Sequence, residues 1–569
     1  MYLFNPLINT LKIYNKEYFK NDLAAASTVA VSAIPQSIAF AILAKIPPIY
    51  GLYSAIIGTI IISLFSSSSH IIGGPTTATC ILIAGSLAAY INLPTESYMT
   101  VVFQFTFMVG IIQVLFGALN LGRILNFISH SVIKGFIIGV AFLSIFGQAG
   151  NAVGMLPPHG ITAFQKVIFI LSNIRNWNIY CIIIFTIACL TLYFTKKIHY
   201  LFPSKLAAML ATGLIAYCFD LEKLGVAVLG TTSTTLPSFN SFDIDFEMFL
   251  TLVPMALSYS IVSLMASITT AKTVAKNTHE KVDNNREFIT QGIANIIGSF
   301  FQSFAGTGSN YRTYINYNAG GKTRIAGIMS GIIIALSLLL FGRYITYIPK
   351  ACLAAIIITV ASNMINFKEI IQYHNSSKQD FYVATITLAA IIFLPRLDRA
   401  VLIGTGVSIF LYLNESSSAK IKILHHVKYN DSFVEIDIDD LMEEEDMIAV
   451  RIEGNLYFGL AYDLAESLSE IKNKSDNFIL RLRDVNSMDI TSYNILLEFT
   501  QKIHNRGGNI KLSGVSEKMY KFLDKNGYFD HISKDDVFMM EPQIFSSFIK
   551  AMEKAKEEIN AKNTENQKK

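Results

Sequence analysis

Two short polar stretches in otherwise apolar sequence carry the residue types of an anion-binding site. They span residues 73–79 and 306–313, and each combines glycine with Ser, Thr or Asn. Glycine allows close approach of the backbone, and Ser, Thr and Asn favour the beginning of a helix. Two helix beginnings that face one point present several N–H groups and two positive dipole ends to an anion. Arg312 adds a full positive charge.

The composition places these stretches in a membrane protein. The chain has 569 residues, 52% hydrophobic and only 15% charged, and its mean hydropathy is +0.43. Between residues 23 and 127 only four Lys, Arg, His, Asp or Glu side chains occur, whereas charges are frequent after about residue 420. The sequence therefore predicts a polytopic membrane part followed by a soluble part. The small net charge of +4, carried at the flanks of membrane segments, argues against nucleic-acid binding.

Apolar runs that suit a bilayer recur along the chain. About fourteen can be read, several of them short, at 23–44, 49–65, 74–91, 99–119, 132–149, 179–195, 204–219, 249–271, 288–304, 309–318, 324–342, 349–365, 380–395 and 399–414. The run at 309–318 is too short and polar to span alone. Lys12, Lys16 and Lys20 precede the first run. With an even number of spans they predict cytoplasmic N- and C-termini, in an inner (plasma) membrane of bacterial type.

The sequence after about residue 421 has the pattern of an α/β domain. Strands are predicted at 447–452, 477–482 and 509–513, with helical patterns between and after them at about 459–473, 491–505 and 515–525. This alternation predicts a largely parallel sheet. The predicted organisation is a cytoplasmic N-terminal segment, a transmembrane domain, the α/β domain and a charged, partly disordered tail, at 1–20, 21–415, 421–545 and 546–569.

Longer motifs resemble the sulfate permease (SulP) family of anion transporters. The similarity is specific over about twenty positions at 34–54, beginning Ile34-Pro35-Gln36-Ser37, and it continues at 70–78, 229–239 and 295–325. In the last stretch Gly308, Ser309, Arg312, Thr313 and Asn316 follow the family's order. The C-terminal domain resembles the STAS domain that family members carry. The resemblance covers nearly the whole chain.

This resemblance implies a fold and a set of site residues. The fold is two inverted repeats of about seven segments each, near 21–220 and 245–415, which work by alternating access around a site between discontinuous helices. The implied substrate-binding residues are Gln36, Phe40, Thr76, Thr77, Ala78, Ser309, Asn310, Tyr311 and Arg312. A homodimer is expected by analogy.

The residues themselves leave simpler roles open for two of these positions. Pro35 predicts a kink or break in the first segment that turns Gln36 inward, and it could equally serve as a kink without a ligand. Arg312 could reach the membrane interface instead of an anion, although an arginine at the bilayer centre costs about 2.5–3.5 kcal/mol on insertion scales. His70 is predicted to be structural.

Thr491 is a candidate phosphosite in the C-terminal domain. The stretch 484–492 corresponds to the strand-to-helix turn at which soluble relatives of the STAS domain carry a phosphorylated Ser or Thr, and Thr491 matches that position. Asp489 lies beside it. The alternative is that Thr491 simply caps the helix by accepting hydrogen bonds from backbone N–H groups.

The predicted eighth segment departs from the family pattern. Many relatives place a Glu or Asp there, but no Asp or Glu occurs between Glu247 and Glu280, and the corresponding positions are read as Ala266 and Thr269. This absence argues against proton coupling and favours exchange or facilitated movement of the anion. Hydroxyl and carbonyl oxygens can still bind sodium, and the candidate cation site is Thr269, Thr273 and Gly308.

The sequence therefore predicts a secondary transporter of a small inorganic anion, with sulfate and bicarbonate favoured as substrates. Its further partners are sodium or a counter-anion, and the bilayer. We expect no enzyme activity, cofactor or metal centre, because no nucleophile with a base, metal cluster or cofactor loop is recognised. The alternatives are a nucleobase transporter of the same general fold and a membrane-anchored, anion-sensing regulator that signals through the STAS-like domain.

Overall fold

The computed structural model forms two compact units, Met1–Ile409 and Phe410–Lys569. The residues that it describes are 5–122, 129–158, 163–198, 202–230, 234–243, 245–394, 397–416, 420–427, 432–438 and 445–566.

The first unit is helical, and its last helix crosses the boundary between the units. The helices are α1 Asn5–Ile13, α2 Lys16–Leu43, α3 Pro48–Phe65, α4 Thr77–Ser86, α5 Thr95–Ala118, α6 His130–Val153, α7 Ala163–Ser172, α8 Ile179–Ile198, α9 Ser204–Cys218, α10 Phe246–Thr278, α11 Asn284–Phe300, α12 Asn310–Asn318, α13 Ile325–Phe341, α14 Lys350–Ser362, α15 Phe367–Ser376, α16 Lys378–Phe393 and α17 Leu397–Ser416. Among the described residues, seven helices are long and apolar enough to cross a membrane, and four shorter apolar helices accompany them. The predicted polytopic membrane unit is confirmed.

The helix α2 contains the proline that predicted a kink or break. It runs from Lys16 to Leu43 as one helix with Pro35 inside it, so a break is absent. Most of α2 from Ala25 onwards is buried, and it packs against α3 and α13. Such packing allows α2 to continue through Pro35, because neighbouring helices can satisfy the carbonyl that proline leaves without a donor.

Two very short strands bring distant parts of the chain together. The strand β1, Gly73–Gly74, pairs antiparallel with β2, Thr307–Gly308, so that Gly73 opposes Gly308 and Gly74 opposes Thr307. Each strand is buried and lies just before a short helix, α4 or α12. The beginnings of α4 and α12 are therefore held next to each other.

The second unit contains a six-stranded sheet. Its strands are β3 Lys420–Val427, β4 Ser432–Ile436, β5 Ile448–Leu456, β6 Asn477–Met488, β7 Asn509–Val515 and β8 Val537–Met539. Their order is β4-β3-β5-β6-β7-β8, in which β5 to β8 are parallel and β3 is antiparallel to both neighbours. The helices are α18 Ala461–Ile471, α19 Ile490–His504, α20 Glu517–Lys525 and α21 Ser546–Asn566. The predicted alternation and largely parallel sheet are confirmed.

The helix α21 occupies the segment in which the sequence predicted a charged tail. Phe548, Ala551 and Ala555 are buried in a small cluster against Leu424 and Ile479 of the sheet. These apolar side chains are spaced at three to four residues, so one face of the helix is buried and the charged residues occupy the other. The segment from Ser546 to Asn566 is therefore helical.

Candidate functional site

The helices α4 and α12 begin at hydroxyl side chains, as the sequence predicts. Thr76 caps α4, and it forms a capping box with Thr79 in which each side chain accepts a hydrogen bond from the other's backbone N–H. Ser309 caps α12 and accepts from the N–H of Arg312 at 3.4 Å. Because the β1–β2 pair holds the two beginnings together, two positive helix ends meet inside the membrane unit.

Arg312 crosses between α4 and α12, the two half-helices whose beginnings meet at the β1–β2 pair. Its side chain is completely buried. Nη1 donates to the carbonyl oxygen of Gly73 at 3.1 Å, and Nη2 donates to the carbonyl oxygen of Pro75. Nε is buried without a hydrogen-bond partner. In this position the guanidinium binds backbone carbonyl groups inside the protein, and among the described residues no carboxylate pairs with it.

Glycine is required at residue 74 for this crossing. Gly74 has a φ of +124°, which disfavours any other residue, and a Cβ built there would lie 2.6 Å from Nη1 of Arg312. The space that the glycine leaves is therefore the space that the guanidinium occupies.

The helix α2 contacts both half-helices and carries two of the predicted substrate residues. Gln36 is 3% exposed, and its Oε1 is buried without a partner. Phe40 is 5% exposed and belongs to the main apolar cluster. An unpartnered amide oxygen in a protein interior is costly, so the Oε1 atom of Gln36 is a position where a water, or a ligand that donates a hydrogen bond, would be stabilised.

The remaining predicted substrate residues lie in the first turns of α4 and α12 or at their caps. Thr77 and Ser309 are buried, and Thr76 and Ala78 are half-buried. Asn310 and Tyr311 are exposed, and Oδ1 of Asn310 accepts a hydrogen bond from Thr270 of α10. The structure thus brings both predicted stretches into one region of the membrane unit.

A network of neutral side chains holds β2 in place. Thr307 Oγ1 lies 2.8 Å from Gln291 Oε1 and 2.7 Å from the carbonyl oxygen of Ser263. Asn295 accepts from the N–H of Gly306 at 2.9 Å and donates to Gln113 at 2.8 Å. Sequence reasoning missed Gln113, Gln291 and Asn295, although amide side chains in apolar runs were the available signal.

The face of α10 toward β2 carries hydroxyl groups and no carboxylate. Besides Ser263 it presents Ser267, whose Oγ would lie 2.5 Å from a Cβ built on Gly308. Thr269 and Thr273 are exposed, and Thr273 donates to a carbonyl of its own helix at 2.7 Å. Gly308, the third residue of the predicted cation site, is buried.

His70 lies in a polar cluster at the connection between α3 and β1. Its Nε2 is 3.1 Å from the carbonyl oxygen of Gly321, and its Nδ1 is 3.8 Å from Glu280. Burial raises the pKa of Glu280, but the approach of His70 and hydrogen bonds from Ser69 outweigh it and lower this pKa to about 2. In the same region Asp22 accepts from the N–H of Lys322 at 2.7 Å.

Thr491 is exposed in the first turn of α19 and does not cap that helix. The cap is Asp489, which accepts from the N–H of Ser492 at 2.8 Å. Thr491 therefore remains an accessible hydroxyl at a positive helix end.

Comparisons with known proteins agree with this architecture. Residues 19–387 match the sulfate permease family and residues 440–548 match the STAS domain. Sulfate transporter 4.1, chloroplastic, of Arabidopsis thaliana is 28% identical over 566 residues, which cover 94% of this chain and 81% of that protein.

Two solved structures share the fold. The murine Solute Carrier 26 family member A9 anion transporter, in its inward-facing state, is 20% identical with a TM-score of 0.88, over 97% of this chain and 94% of that one. The transmembrane domain of the cyanobacterium bicarbonate transporter BicA is 21% identical with a TM-score of 0.60, over 69% of this chain and 98% of that one. At these identities the likeness concerns the fold alone. The chain is an integral membrane protein that belongs to the sulfate permease family and carries a C-terminal STAS domain.

Proposed function

We propose that this protein is a secondary transporter that binds a small inorganic anion between the beginnings of α4 and α12, next to Arg312. The observation that carries the proposal is the complete burial of Arg312 at the meeting point of two positive helix ends. A buried cation without a carboxylate partner is costly, and an anion in this position offsets that cost. Gln36 is a buried neutral amide on α2, the helix that contacts both α4 and α12.

Alternating access is the proposed mode of transport. Fourteen helices, α2–α6, α8–α14, α16 and α17, would form the two inverted repeats, with α4 and α12 as their discontinuous members. Transport would then require the region around β1 and β2 to become accessible from each side of the membrane in turn. The termini are proposed to be cytoplasmic and the protein to be a homodimer in an inner (plasma) membrane.

Sulfate and bicarbonate are the proposed substrates, sulfate because a relative named above is a sulfate transporter, and bicarbonate because the family resemblance of the sequence implies it. The neutral face of α10 supports exchange or facilitated movement rather than proton symport. Ser263, Ser267 and Thr270 have no charge that a proton could neutralise near pH 7.

The direct test is uptake of labelled sulfate and of labelled bicarbonate into proteoliposomes, with imposed proton, sodium or chloride gradients. We expect saturable uptake of at least one anion and little stimulation by an inward proton gradient. Uptake no greater than in empty vesicles for both anions would overturn the proposed function. Strong stimulation by protons would overturn the proposed coupling alone.

Variants of Arg312 test the site within the same assay. Arg312→Ala should abolish saturable uptake, and Arg312→Lys should retain charge but weaken binding, since an ammonium lacks the planar fork that donates to Gly73 and Pro75. Arg343→Ala is the matched control, because Arg343 is exposed and its guanidinium contacts its neighbour Tyr344 at 2.9 Å. Unchanged uptake by Arg312→Ala would place the anion elsewhere.

A further inference from the structure

Lys205 is a buried cation in the first turn of α9 that sequence reasoning did not single out. Its side chain is only 9% exposed. Its Nζ lies 3.7 Å from the centroid of the Tyr311 ring. Tyr311 immediately precedes Arg312 in the first turn of α12, so the ammonium lies beside the same positive helix end as the proposed anion site.

No negative side chain balances this lysine among the described residues. Its ammonium contacts the aromatic ring of Tyr311 and forms no ion pair within the described ranges. Arg312 donates to the carbonyl oxygens of Gly73 and Pro75, which are neutral. The neighbouring helix α10 has no Asp or Glu between Glu247 and Glu280. Two formal positive charges therefore approach the beginning of α12 without a carboxylate.

A contact between an ammonium and an aromatic ring is a weak substitute for an ion pair. The ring contacts one side of the ammonium, and the N–H donors on the other side remain free to bind an oxyanion. Lysine also reorients easily on its flexible stem. A ligand that carries two negative charges would balance both cations, whereas a monovalent anion would leave one buried charge uncompensated.

We propose that Lys205 is a second cation of the anion site and that, together with Arg312, it makes the site prefer a doubly charged oxyanion over a monovalent anion. This inference rests on the proposed function, and it narrows the substrate from inorganic anions in general to dianions. Lys205 acts as a specificity-determining residue, and Tyr311 positions its ammonium.

The test compares a dianion with monovalent anions on one set of variants at constant pH. Uptake of labelled sulfate, and its inhibition by selenate, nitrate and bicarbonate, is measured in proteoliposomes. We expect wild-type protein to be inhibited by selenate at concentrations at least tenfold below those of the monovalent anions. Lys205→Met should raise the KM for sulfate at least tenfold. It should also bring the ratio of the inhibitory concentrations of nitrate and selenate close to one. Lys205→Arg should restore most of that ratio.

Two controls separate charge from packing. Lys272→Met removes an exposed lysine from α10 and should leave the ratio unchanged. Tyr311→Leu removes the ring that positions the ammonium and should shift the ratio in the direction of Lys205→Met. If Lys205→Met does not fold, Lys205→Gln removes the same charge with a polar side chain, and its thermal stabilisation by sulfate and by nitrate in detergent gives the same comparison.

The outcomes distinguish this inference from the proposed function on which it rests. The role of Lys205 would be overturned if Lys205→Met weakened dianion and monovalent binding equally, or changed neither. The proposed transport function would still stand. A wild-type preference for bicarbonate or nitrate would also overturn the role of Lys205. Absence of all uptake would remove the proposed function itself.

Discussion

Nη1 of Arg312 donates a hydrogen bond to the carbonyl oxygen of Gly73 at 3.1 Å, across the β1–β2 pair. The two residues are far apart in sequence, yet this bond ties the beginning of α12 to the strand that leads into α4. The orientation of the guanidinium therefore depends on both half-helices. A change on either side should disturb anion binding even where it touches no ligand.

Gly74→Ala should abolish transport, because its Cβ would meet Nη1 of Arg312 at 2.6 Å. The matched control is Gly320→Ala. Gly320 also has a positive φ, +87°, but nothing lies within 4 Å of a Cβ built there. Both variants should lose about 1–3 kcal/mol of stability from backbone strain. When equal amounts of the two variants are reconstituted, only Gly74→Ala should lose sulfate uptake. Equal uptake by both variants would contradict the role of the contact between Gly74 and Arg312.

Thr307→Val should destabilise the protein by about 1–3 kcal/mol, because it leaves the buried Oε1 of Gln291 without a donor. The control is Thr186→Val on α8, where an exposed hydroxyl donates only to a carbonyl of its own helix at 2.8 Å. That change should stay within about 0.5 kcal/mol. Melting temperatures in detergent provide the comparison, and similar values for both variants would argue against the network behind β2.

Glu280→Gln should destabilise the protein at pH 7, by roughly 3 kcal/mol for a pKa lowered from 4.5 to about 2. A carboxylate with a lowered pKa stabilises the folded state above its ordinary pKa, and this contribution is lost as the pH falls toward about 2. The difference in melting temperature between variant and wild type should therefore shrink below about pH 4.5.

The exposed Glu96→Gln serves as the control for this pH series, and it should have little effect at either pH. A destabilisation by Glu280→Gln that stays constant from pH 7 to pH 4 would show that shape, and not ionisation, makes Glu280 important.

Asp489→Ala should destabilise the beginning of α19 by about 1 kcal/mol, because Asp489 is its N-cap.

Thr491→Glu places a negative charge in the first turn of α19 and should be neutral or stabilise this helix slightly, by less than about 1 kcal/mol. Amide hydrogen exchange of α19 in the full-length protein measures both. Faster exchange in Thr491→Glu than in Thr491→Ala would mean that a phosphate at Thr491 disrupts this helix.

Local sequence determined which elements form. The hydroxyl residues Thr76 and Ser309 mark the beginnings of α4 and α12, and the alternation after residue 421 predicted the sheet, because capping and periodicity act over a few neighbouring residues. The same local reasoning was incomplete at Pro35, where the packing of α2 maintains a continuous helix. It also did not identify Asp489, which takes the cap considered for Thr491.

Only the tertiary structure decided what surrounds the site. Arg312 binds carbonyl oxygens of the other half-helix, and Lys205 rests on Tyr311, although nothing near either position in sequence indicates these partners. Likewise, the face of α10 that meets β2 carries Ser263 and Ser267 rather than the positions read as Ala266 and Thr269. The sequence determined that two helix beginnings and a cation were available, and packing between distant segments decided that they meet without a balancing carboxylate among the described residues.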